Sequence, residues 1–207
     1  MNLRRGLLWG LLVAVLIAVA AAATIQWLRR PEPPPVFGQV PAFSLTNRDG
    51  RKVGLADFAG APWVADFIFT RCPASCPIMT ARMARLNREL PRNLGVRLVS
   101  FTVDPDHDTP QVLQEYAESF SAPERWLFLT GGKEELFRLS KEGFKLGVEI
   151  NPQPDSDSIE PILHSTRFVL VDGEGRIRGY YDGFDEESMA KLKKDLRAIA
   201  AITAMTG

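Results

Sequence analysis

The chemistry available to this chain gathers on Cys72 and Cys76, its only two cysteines, four residues apart in Thr70-Arg71-Cys72-Pro73-Ala74-Ser75-Cys76-Pro77. A thiol pair at that spacing can hold a soft metal ion or cycle between dithiol and disulfide. With no further cysteine there is no disulfide framework, so the pair serves chemistry or acts as a local staple. The two histidines are His107 and His164. His107, in Asp106-His107-Asp108, reads as a solvated turn residue, and His164 stands just before a strand. Met79 and Met83 carry soft sulfurs, but their helical spacing assigns them to the core. Asp66 is a carboxylate inside an otherwise apolar strand, six residues before Cys72. Buried without a partner it is costly and has a raised pKa, which suits proton transfer; hydrogen-bonded, it is an ordinary strand residue.

Periodicity gives the elements that must hold these groups. Residues 42–45 and 52–55 read as strands around a hairpin turn marked by Asp49-Gly50. Residues 63–69 are almost continuously apolar, as a strand buried on both faces must be, and run straight into the cysteines. Pro77 suits the first turn of a helix, where its missing N–H costs nothing, and Met79, Met83, Leu86 and Leu90 follow at helical spacing. Residues 96–103 form a second buried strand ending at Asp104-Pro105, where Asp104 either stands beside the site or caps a turn. Asp108-Thr109-Pro110 caps a helix running to residue 120. A strand at 126–129, a helix at 133–142, a polar loop at 151–161, a hairpin over 166–181 and an amphipathic helix at 186–202 complete the chain. This order predicts an α/β sandwich whose central sheet mixes parallel and antiparallel strands.

Residues 6–28 form an uncharged apolar run of about 23 residues, long enough to cross a bilayer core as a helix. Trp9 and Trp27 would lie about 27 Å apart along it, one at each interface. Alanines 20–23 offer a signal peptidase the small residues it needs. The run is nevertheless longer than a usual signal core, and residues 1–30 read as an uncleaved anchor. Either way the rest is exported, and the single span places it on the extracytoplasmic, periplasmic side of a cell (inner) membrane. Residues 31–40 are a proline-rich, semi-rigid linker, and residues 41–203 suit one globular domain. The 25 basic and 25 acidic residues of the whole chain balance to +0, which leaves no electrostatic case for nucleic acid.

Three segments occur in order: residues 63–77 with both cysteines, residues 102–110 (Thr-Val-Asp-Pro-Asp-His-Asp-Thr-Pro), and His164 before a strand ending in Val171-Asp172-Gly173. Together they resemble the Sco (SenC) family over about residues 41–199. The resemblance implies a thioredoxin-like sandwich with an N-terminal β-hairpin, preceded by one transmembrane helix. It implies a copper metallochaperone, not an enzyme, which receives copper from a donor protein and helps deliver it to the binuclear centre of cytochrome c oxidase subunit II. By motif position the copper ligands fall on Cys72, Cys76 and His164, with Asp66 and Asp104 as candidates for the shell around them. Ala74 stands where an acidic residue often follows the Cys-Pro, and Leu163 where an Asp often precedes the ligand histidine. Both changes remove negative charge near the site.

The residue types agree with copper. Positions i and i+4 share a helix face, so a formed first turn would turn both sulfurs toward one ion. Two thiolates and an imidazole make an S₂N set suited to Cu(I), with Cu(II) the other state to consider. Structural zinc wants four protein ligands, and only one other histidine is present. A helix N-terminus with Arg71 adjacent favours thiolate. The rival function is a thiol–disulfide oxidoreductase acting on exported cysteines through the same pair. Thioredoxins are similar in carrying a buried acid where Asp66 stands. His164 separates the two, because a copper site needs it and disulfide exchange does not. A peroxidase would want a single activated cysteine in a different context.

Overall fold

The computed structural model describes residues 2–28, 33–146, 149–150, 162–163 and 165–206. The chain falls into two compact units, Met1–Glu32 and Pro33–Gly207. The first is helix α1, Asn2–Leu28. Among the described residues no helix is long and apolar enough to cross a membrane; within α1, side chains are described without a break only over residues 8–21.

The second unit is built on an eight-stranded sheet in the order β1-β10-β9-β4-β5-β6-β2-β3. Its strands are β1 (Gly38–Gln39), β2 (Ser44–Asn47), β3 (Lys52–Gly54), β4 (Trp63–Ile68), β5 (Arg97–Thr102), β6 (Trp126–Thr130), β9 (Arg167–Val171) and β10 (Arg176–Asp182). A separate antiparallel pair, β7 (Glu149–Ile150) and β8 (Ile162–Leu163), leads toward residue 164. β4, β5 and β6 run parallel, and the remaining pairings are antiparallel. Parallel neighbours need crossovers, and the helices α2 (Ser75–Glu89) and α3 (Pro110–Ser119) supply them. The mixed sheet is the α/β architecture that the sequence pattern predicts, with strand ends shifted by one or two residues.

All six residues of β4 are buried, as a central strand covered on both faces requires. Side chains alternate along it, so Trp63, Ala65 and Phe67 face one layer and Val64, Asp66 and Ile68 the other. The first layer is aromatic: Phe58 stacks on Trp63 at 4.7 Å, Phe67 on Phe101 at 5.1 Å, and Phe144 meets Phe67 edge-on at 5.3 Å. Such pairs add about 0.5–1.5 kcal/mol each beyond area burial. Phe144 reaches them because α4 (Lys133–Arg138) continues into a π-helical turn, Leu139–Gly143. The opposite layer holds α2, α3 and α5 (Glu186–Thr206). Thr80 of α2 meets Tyr116 of α3 at 2.8 Å, and Lys193 of α5 bridges to Glu89 of α2 at 2.8 Å. Asp66 therefore lies beneath α2, on the side of the cysteines.

Candidate functional site

β4 ends at Ile68, and the chain turns through residues 69–74 before α2 begins at Ser75. Only Cys76 is helical; Cys72 lies outside the helix, in a turn closed by its own N–H donating to the Phe69 carbonyl at 3.2 Å. The two sulfurs are therefore not on one helix face, contrary to the i, i+4 expectation. A backbone amide brings them together instead. The first N–H groups of any helix lack an internal partner. Ala74 at the cap position offers no side chain, and the Cys76 N–H donates to the Cys72 sulfur at 3.3 Å. The Phe69 N–H donates to the Cys76 sulfur at 3.4 Å, and Ser75 Oγ lies 3.5 Å from the Cys72 sulfur. Both cysteines are buried, Cys72 at 4% exposure and Cys76 at 0%.

Burial pushes the Cys76 thiol well above its ordinary pKa; the Phe69 amide opposes this, while Cys72 and Asp66 add to it. Burial thus opposes the thiolate that the helix terminus favours at Cys76, and a cation that binds a thiol there displaces its proton. Arg71 does not compensate. Its side chain is 59% exposed, and its Nε–H donates to Asp104 Oδ2 at 2.7 Å, so its charge is directed at a carboxylate.

Asp66 is fully buried, and burial raises its pKa to about 7. Ser100, its partner in register on β5, is the side chain that most offsets this. Yet neither carboxylate oxygen has a hydrogen bond of ordinary geometry among the described residues, and Ser100 Oγ itself accepts from Trp126 Nε1–H at 3.0 Å. Desolvation therefore dominates. Above Asp66, Thr80 donates to the Cys76 carbonyl at 2.8 Å and contacts the Tyr116 hydroxyl, whose pKa is raised by burial.

Asp104 closes the turn after β5, one of the two roles weighed for it. Its carboxylate takes Arg71, and its carbonyl accepts from the His107 and Asp108 amides at 3.1 and 2.8 Å, closing the turn after β5. The helix cap expected over residues 108–110 falls on Thr109, whose Oγ1 accepts from the Val112 amide at 3.3 Å. Asp108, fully buried, turns back toward the cysteine loop. It accepts from the Thr70 amide at 3.1 Å, from Thr70 Oγ1 at 2.5 Å and from Thr102 Oγ1 at 2.5 Å. Sequence reasoning missed it, because an acid just before Thr-Pro carries the signature of a helix cap.

His107 is exposed on its turn, and Met79 and Met83 are buried in the core, each as the sequence predicts. His164 and the polar loop at 151–161 lie outside the described residues. Among the described residues, no group of three or more His, Cys, Asp or Glu side chains could hold a metal ion. A cleft of about 380 Å³ opens at the far end of the sheet, between Gly60, Asp172, Arg178 and Ile199, and is remote from the sulfurs.

The chain is similar to known proteins of one family. The SCO1/SenC family model matches residues 34–201. A SCO1/SenC family lipoprotein from Bacillus anthracis str. Ames superposes with a TM-score of 0.72 at 33% identity, over 82% of this chain and 99% of that one. BsSco, a member of the Sco family of cytochrome c oxidase assembly proteins in which a disulfide switch was identified, gives 0.69 at 30% identity, over 84% and 99%. ScoI from Bradyrhizobium japonicum, with copper bound, gives 0.64 at 25% identity, over 77% and 100%. With a match across most of its length and the same fold, the chain belongs to the SCO1/SenC family.

Proposed function

We propose that this protein is a copper chaperone. It holds one copper ion as cargo between Cys72, Cys76 and His164, receives it from a donor protein, and passes it to the binuclear copper site of cytochrome c oxidase, with subunit II as recipient. The observation that carries the reading is the sulfur pair at the β4–α2 junction: two buried thiols joined through one amide, each with a backbone N–H directed at its sulfur. Soft donors held this way suit Cu(I), and His164 supplies the imidazole. Family membership, the copper-bound relative and the oxidase-assembly relative support the same reading. The apolar run at residues 6–28 anchors the protein as a single span, and the domain stands outside the cytoplasm; residues 33–40, read from the sequence as a linker, belong to that domain, whose sheet takes up Gly38–Gln39.

Metal loading of the reduced, detergent-solubilised protein under a competing chelator tests the proposal. One Cu(I) per chain is expected, with a far larger loss of affinity in His164→Ala than in His107→Ala. Equal losses would remove His164 from the site.

The Asp66 carboxyl favours a second reading, thiol–disulfide exchange on exported cysteines. With its pKa near 7 it can give and take a proton beside Cys76. The two readings separate in cells. Under copper delivery, His164→Ala with both cysteines intact yields little copper-loaded oxidase, and added copper restores part of it. Normal oxidase in that strain, with none in Cys72→Ser, would assign the function to thiol exchange.

A further inference from the structure

Two carboxylates of one loop grip two successive residues of another. Between β5 and α3, Asp108 takes the backbone amide and hydroxyl of Thr70, and Asp104 takes the guanidinium of Arg71. Thr70 and Arg71 are the residues immediately before Cys72. The two grips differ in weight. The Arg71–Asp104 pair reaches into solvent, where such a bond contributes little. The Asp108 carboxylate is wholly buried and is met by three donors, the third being Thr102 Oγ1 at the end of β5. Because β4 and β5 pair in parallel register, Ile68 opposite Thr102, this carboxylate fastens the start of the cysteine turn to the rigid end of the neighbouring strand.

We propose that Asp108 is the positioning residue of the metal site: by fixing Thr70 it sets where the Cys72 sulfur stands relative to Cys76 and to an incoming Cu(I). The inference rests on the copper-chaperone reading for its ligand, and on hydrogen bonds alone for its geometry. The later part of the turn is held by backbone and sulfur contacts, the Cys72 N–H on the Phe69 carbonyl and the Cys76 N–H on the Cys72 sulfur, while its start is held by Asp108. Ala74 and Pro73 are exposed, and α2 has no side-chain cap. Without Asp108, Thr70 loses both bonds and Cys72 is free to drift from the Cys76 amide.

The test uses the full-length reduced protein in detergent, with Cu(I) alone as the probe under a competing chelator. Alongside it, the Cys72–Cys76 disulfide potential is read by equilibration with the dithiothreitol couple, in which two thiols surrender two electrons and two protons to the reagent disulfide. Asp108→Ala is expected to keep a cooperative unfolding transition and to lose at least about tenfold in Cu(I) affinity, the scale usual for groups that orient metal ligands. Its disulfide should become harder to reduce, since a freed turn closes the S–S bond more easily. Asp108→Asn, which keeps a carbonyl for the Thr70 amide, should recover much of both. Should Asp108→Ala fail to fold, Thr70→Val and Thr102→Val decide. Each removes one hydroxyl from the same carboxylate, but Thr70→Val takes the bond to the cysteine turn itself while Thr102→Val leaves that bond in place, so Thr70→Val should move the affinity and the potential several-fold more. Wild-type values in a folded Asp108→Ala, or equal effects of the two threonine variants, would overturn the proposal. A wild-type protein that binds no Cu(I) sinks the chaperone reading instead, and the disulfide potentials still judge Asp108.

Discussion

Arg71 is committed to Asp104, Nε–H to Oδ2 at 2.7 Å, although it is the residue next to Cys72. The bond raises the guanidinium pKa, through Asp104 first and Asp108 last. Arg71→Met should therefore leave the Cu(I) affinity and the disulfide potential within about threefold of wild type, the range of an exposed ion pair. Competition titration checks this, and a tenfold change would show that the charge reaches the sulfurs after all.

Asp66 makes stability depend on pH. Its folded pKa is raised to about 7 from an ordinary value near 3.8, so its contribution is complete below pH 4 and is lost as pH rises toward and through 7. At about 1.4 kcal/mol for each pH step between those two values, the loss approaches roughly 4 kcal/mol. Urea unfolding of wild type and Asp66→Asn between pH 4 and 8 should show the wild type losing ground steadily as pH rises. Parallel curves would mean that Asp66 carries its charge without penalty.

Gly183, in the turn after β10, is a packing requirement of the site. A Cβ there would collide with the Met79 sulfur and with Phe168. Met79 is buried one turn beyond Cys76, so it has little room to move. Gly183→Ala should cost about 1–3 kcal/mol, the usual effect of overpacking a filled core. The urea midpoint reads it, and an unchanged midpoint would mean that Met79 repacks freely.

The framework around the cysteines was legible in the sequence because its signals are local. An unbroken apolar run marks β4, and helical spacing from Met79 marks α2. Asp49-Gly50 marks a turn whose glycine takes φ 81°, a conformation glycine tolerates best. The missed features depend on contacts between distant segments. Asp108 and Thr70 are 38 residues apart and meet only because β4 and β5 align as they do. The position of Cys72 outside α2 depends likewise on a cap made by sulfur, which no residue preference announces. Arg71 and Cys72 are neighbours in sequence, and only the position of Asp104 decides that the charge points elsewhere.

Where the chain enters its domain has a bearing on how the sulfurs are met. Pro33 lines the same cleft as Gly60, and the Pro34 carbonyl accepts from Arg178 Nη1 at 2.7 Å, at the end of the sheet where β4 starts. The cysteines sit where β4 finishes, a strand length of about 20 Å away at the usual rise per residue. On the anchored reading proposed above, the domain would be tethered at one end of β4 and would act from the other. On that reading, lengthening or shortening the segment before Pro33 would change how far the sulfurs reach and leave the face around them unaltered.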